Sequence, residues 1–129
     1  MKEAEMLKEQ SSRVVIGKDT KHFISLRVES TAGHGFACFL SGGEKPHVGA
    51  VATVSRKDGE RMLGFAGASR EVDEEAAMDV ARILYQYFSE PVAVTAGVEI
   101  KDMTDEDHAQ LKVNWIASAK HFCGTYDRR

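Results

Sequence analysis

Apolar and polar residues alternate between positions 21 and 30, with His22, Ile24, Leu26 and Val28 on one parity and Phe23, Ser25, Arg27 and Glu29 on the other. A period of two predicts a strand with one buried face. Val14-Val15-Ile16 predicts a shorter strand before it, and Gly17-Lys18-Asp19 the turn between them. Residues 36–40 are continuously apolar and read as a strand that is central or covered on both sides. Residues 48–55 read as its neighbour, and Asp58-Gly59 predicts a tight hairpin into a return strand over 60–65. Consecutive strands joined by short turns imply an antiparallel meander.

The period then changes. Val72, Ala76, Ala77, Val80, Ile83, Leu84, Tyr87 and Phe88 fall at helical spacing and form one apolar stripe. Asp73, Glu74 and Glu75 lie at its N-terminal end and read as charges favoured by the helix dipole, with no ligand needed. Pro91 stops the helix, and the small, β-branched run 91–98 predicts an interior strand. A second helix follows: Thr104 and Asp107 make a capping box with aspartate in place of glutamate. His108, Leu111, Trp115, Ala119 and Phe122 form its inward stripe, and Gly124 is placed to end it. Trp115 and Tyr87 both read as core aromatics.

These elements predict an α+β domain over residues 13–124, a mostly antiparallel mixed sheet of five to six strands with two helices packed on one face. Residues 1–12 read as a flexible segment and 125–129 as a tail. Two helices leave the other face of the sheet open, so a homodimer that buries that face or a sheet edge is expected.

Composition narrows the class. A chain of 129 residues with 43% hydrophobic and 29% charged residues is that of one globular domain. A net charge of -3 argues against a nucleic-acid partner. No window approaches the ~18 apolar residues of a membrane span. Cys38 and Cys123 lie far apart, outside any metal spacing, and suit a reducing compartment, so a cytoplasmic protein is expected.

Candidate chemistry gathers in the connection Ser41-Gly42-Gly43-Glu44-Lys45-Pro46-His47-Val48-Gly49. Gly42 and Gly43 tolerate positive φ, Pro46 fixes its own φ, and Gly49 leaves room for a backbone or a ligand. His47 stands at the mouth of a strand. Gly97-Val98-Glu99 is a second glycine-marked exit, and the two converge if both strands leave the sheet on the same side. Backbone N–H groups of Gly42, Gly43 and Gly49 would then face a shallow anion pocket, favoured by Lys45, Arg70 and Lys101 and opposed by Glu99 and Asp102. The candidate binding residues are therefore Gly42, Gly43, Lys45, His47, Gly49, Arg70, Gly97, Glu99 and Asp102. No nucleophile elbow, zinc motif or phosphate loop is found, so no catalytic or metal-binding residue is assigned. The alternative is a small enzyme using His47 as acid or base, oriented by Glu99 or Asp102. His22 and His34 read as solvated strand-end residues, and His108 and His121 as helix-end residues.

The runs SGGEKPHVGAVATV, GFAGASREVDEEAA and VAVTAGVEIKDMT resemble the prenylated-flavin chaperone family (LpdD-like), typified by the small accessory subunit of bacterial gallate decarboxylase. Gly42, Gly43, His47, Gly49, Ala50 and Val51 match its central loop. Ala68-Ser69-Arg70 stands where that family has His-Lys-Glu, and Glu99 with Lys101-Asp102 where it has His and Asp-Asn. The resemblance implies a fold like that of the small proteasome-assembly chaperones and a homodimer. It further implies a non-catalytic role beside a UbiD-type decarboxylase or a flavin prenyltransferase. Prenylated FMN or FMN would be handled transiently, with no cofactor bound permanently. Within that reading His47→Ala weakens binding and costs the fold little, as expected of a loop histidine.

Overall fold

The computed structural model describes residues 10–31, 34–45, 47–64 and 70–126. The strict alternation becomes strand β2 (Ile24–Ser30), preceded by β1 (Gln10–Ile16) and followed by β3 (Phe36–Gly43), β4 (Ala50–Ser55) and β5 (Gly59–Gly64). The first apolar stripe becomes helix α1 (Arg70–Phe88), then come strand β6 (Val92–Glu99) and helix α2 (Asp105–Thr125). β1 starts at Gln10, inside the segment expected to be flexible; residues 1–9 and 127–129 lie outside the described residues, as do Pro46, Ala68 and Ser69.

The strands form one mixed sheet in the order β1-β2-β3-β6-β4-β5, antiparallel throughout except for the parallel pair β3–β6. The simple meander is therefore broken: β6 sits between β3 and β4. Turn chemistry shows that β4 runs back against β3 but not that they touch. The connection between them steps over one strand, about 10 Å across the sheet. That detour carries His47 over the end of β6.

Alternate residues of the sheet face the helices. Ile24, Leu26, Val28, Phe36, Cys38, Leu40, Ala52, Val94, Ala96 and Val98 are all buried there. α1 packs over β4, β5 and β6, and α2 over β1 and β2. Trp115 is fully buried and its indole N–H donates to Asp79 Oδ2 at 2.9 Å. Phe36, Phe88, Phe122 and Tyr126 have ring centroids within 6.0 Å of one another and close the core at the end remote from the β3–β4 connection. No described element covers the opposite face.

β3 lies inside the sheet, the central one of the two placements expected for residues 36–40, and is covered on one side only, with Phe39 44% exposed on the open face. Three expectations are corrected. Tyr87 is 62% exposed, because its position on α1 lies at the margin of the stripe rather than within it. Gly124 does not end α2; the helix runs to Thr125, and the Tyr126 N–H donates to Phe122 O, with the packed Tyr126 ring holding the last turn. The Thr104–Asp107 capping box does form, but Asp107 is buried and also meets His22 Nε2 at 2.8 Å, so His22 is not a solvated strand-end residue. Cys38 and Cys123 are both buried, which pushes their thiols up to about 12 and about 11.

Candidate functional site

Because β3 and β6 run parallel, their C-terminal ends lie side by side, with Gly43 opposite Glu99 and Ser41 opposite Gly97. Gly43 takes φ +73° and turns the chain across β6. The N–H groups of Glu44 and Lys45 both donate to Glu99 O, at 2.8 and 3.2 Å, and Glu44 Oε1 accepts from the Lys101 N–H at 2.9 Å. The chain then passes so close over β6 that a Cβ on Gly97 would lie 1.5 Å from His47 O. Gly49 donates to Ala96 O at 2.8 Å, and the chain enters β4.

This passage is fastened from the helix layer. Asp73, in the first turn of α1, is fully buried and is not a solvated helix-start charge. Its Oδ1 accepts from the Val98 N–H at 2.8 Å and its Oδ2 meets His47 Nε2 at 2.8 Å. A Cβ on Gly49 would lie 1.7 Å from the same Oδ2, so glycine there makes room for the carboxylate. The signal was present in the sequence: Asp73 is three, four and seven residues before Ala76, Ala77 and Val80, on the apolar stripe itself.

Both ring nitrogens of His47 face acceptors, Nδ1 to Lys45 O at 3.0 Å and Nε2 to Asp73, while Glu99 Oε1 stands 3.9 Å from Nδ1. With Asp73 ionised, only a doubly protonated ring satisfies both hydrogen bonds. Partial burial lowers the His47 pKa, but the Lys45 carbonyl and the Asp73 and Glu99 carboxylates outweigh it, leaving a value above the ordinary 6.5. Burial raises the Asp73 pKa, opposed by the Val98 N–H and by His47.

A family model describing a prenylated flavin chaperone LpdD-like domain matches residues 18–125. The chain belongs to this family. The fold of this LpdD-like chain is also similar to one in the crystal structure of a chaperone complex for yeast 20S proteasome assembly. The TM-score is 0.56 at 11% identity, over 88% of this chain and 91% of that one. At that identity the likeness shows a shared fold. None of the curated proteins matches the sequence.

In the LpdD-like chain the two glycine-marked exits do converge, bringing together Gly43, Lys45, His47, Gly49, Gly97 and Glu99. Gly42 lies within β3 rather than in the loop, opposite Ile24 and Val98. The expected anion nest is not formed: the Gly43 N–H donates to Phe23 O and the Gly49 N–H to Ala96 O, both at 2.8 Å. Asp102, exposed at φ +54°, is not among the partners of His47; the orienting acid is Asp73, which sequence reasoning passed over. Arg70 begins α1, and its side chain lies outside the described residues. His108 is bonded to Glu75 at 2.6 Å in a network with Lys112 that joins the two helices.

The His47–Asp73 contact, a latch between the β3–β4 connection and α1, has a pH signature. A histidine whose pKa is raised by folding contributes stability that is fully present below its unfolded value and lost as pH rises through the folded one. The raised Asp73 pKa has the same sign at lower pH. Thermal unfolding from about pH 6 to about pH 9 should therefore show the parent losing stability faster than His47→Gln. Parallel profiles would show that His47 does not titrate with the fold.

Proposed function

We propose that this chain is a non-catalytic accessory or chaperone protein for a UbiD-type decarboxylase or its prenylated FMN cofactor, working in the cytoplasm as a homodimer. The observation that carries this reading is the double commitment of His47. A general base needs a free ring nitrogen within reach of a substrate, and here both face protein acceptors. The latch shapes a surface instead. It holds the 44–49 connection in place, and Val48, at its crest, is 60% exposed. Family membership supports the chaperone role and, since the family is that of prenylated flavin chaperones, prenylated flavin as its chemistry. The buried thiols of Cys38 and Cys123 suit a reducing compartment. For the dimer, the support is the β5 edge, where Leu63 is 59% exposed beside Val51.

Purification from the native host, with identification of the co-eluting protein and chromophore and light scattering of the eluate, tests this reading. The expected outcome is a dimer carrying a decarboxylase or prenyltransferase, lost in Val48→Asp while stability changes by no more than ~0.5 kcal/mol, as for a surface site. A monomer with no co-eluting enzyme would oppose it.

A further inference from the structure

Arg13 and Arg27 stand directly opposite each other on β1 and β2, with Phe39 next across on β3. All three side chains lie on the open face, and with Ser25 and Ser41 they line a cavity of about 290 Å³ that contains no carboxylate. Like charges directly opposite on a sheet repel, and an anion between them relieves that repulsion. Each guanidinium is held by its protein side. Arg13 Nε donates to Ser25 Oγ at 3.0 Å, with Ser25 only 6% exposed, and Arg27 lies 4.6 Å over the Phe39 ring centroid. The nearest acid, Glu29, approaches only Arg27 Nε, at 3.7 Å, and is itself bonded by the Ser11 hydroxyl. The terminal nitrogens of both arginines have no hydrogen-bond partner among the described residues.

We infer that this cavity binds the phosphate group of a phosphate monoester. Two forked donors lining one cavity suit the oxygens of a single dianion, and they bind bidentately as lysines would not. The Ser25 and Ser41 hydroxyls lie in the same cavity as further donors, and Phe39 supplies an apolar wall for whatever the phosphate is attached to. A pair of arginines opposed by one acid, Glu29 beside Arg27, is in a chain of net charge -3 a local field of the required sign. The site shares no residue with the His47 latch and does not rest on the chaperone reading.

The test is calorimetric titration of the full chain with inorganic phosphate, phenyl phosphate, FMN and riboflavin. Phenyl phosphate and FMN should bind, and riboflavin at least about tenfold more weakly than FMN, since it lacks the charge-assisted contacts. Inorganic phosphate matching FMN would assign the site to free phosphate and sustain the shared chemistry. The double variant Arg13→Gln/Arg27→Gln should lose about tenfold or more in affinity for the phosphate-bearing probes at an unchanged melting temperature, and Arg27→Lys should lose less. Riboflavin binding as tightly as FMN, no binding of any phosphate probe, or unchanged binding by a folded double variant would overturn the inference. A folded double variant that loses the phosphate probes and still co-elutes with a partner enzyme separates this site from the chaperone role.

Discussion

Gly97→Ala should lower stability by roughly 3 kcal/mol or more, and the melting temperature by roughly 10 °C. The added Cβ would lie 1.5 Å from His47 O and 2.3 Å from its carbonyl carbon. Backbone cannot swing aside as a side-chain tip does, so His47 must lift together with the bonded residues Glu44, Lys45 and Gly49. Lifting them breaks the bonds from Glu44 and Lys45 to Glu99 O, from Gly49 to Ala96 O, and between His47 and Asp73. Each is worth about 1 kcal/mol, and more where a buried group is left unpaired. Gly124→Ala is the control: nothing lies within 4 Å of its Cβ position in the last turn of α2. There alanine should be neutral or stabilising by up to ~1 kcal/mol. Urea unfolding of both variants decides the matter, and equal effects would mean that the close crossing of His47 over Gly97 is absent.

Asp73→Ala should cost about 2–4 kcal/mol, because it leaves the Val98 N–H and His47 Nε2 facing a void without an acceptor. The size discriminates between readings. A solvated acid at a helix start contributes only about 0.3–1 kcal/mol. Asp73→Asn is milder and more informative, since its amide oxygen still accepts from Val98 while the charge facing His47 is gone. The His47 pKa, followed by NMR, should then fall from its raised position, since burial remains and the Asp73 attraction does not. A loss below ~1 kcal/mol in Asp73→Ala with an unmoved His47 titration would return Asp73 to the role of a helix-start charge.

Much of this was legible in the chain because local period encodes local burial. β2 follows from the alternation of Ile24, Leu26 and Val28, and α2 from its capping box and inward stripe. Which strands pair is a tertiary matter. Nothing in residues 36–55 shows that β6 inserts between β3 and β4, since turn residues set direction and not neighbours. The apolar run around Phe39 did mark a central strand, but not that one of its faces stays open, with Phe39 exposed on it. Around the site, Gly49 marked close approach correctly, and what approaches it is the Asp73 carboxylate; Gly97, read only as an exit, lies under the His47 carbonyl. His47 was singled out and its partner was not. Asp73 stands beside Glu74 and Glu75, and three acids in a row read as one solvated charge until its place on the stripe with Ala77 and Val80 is noticed. The cost foreseen for His47→Ala is revised upward accordingly, because the residue is bonded to a buried carboxylate.

The most direct measurement is the turnover of a UbiD-type decarboxylase produced with and without this chain, set beside the turnover of the chain alone. The account predicts no decarboxylase or hydrolase turnover by the isolated protein and higher activity of the partner when the chain is present. Turnover by the isolated protein that disappears in His47→Ala, with no effect on the partner, would contradict it.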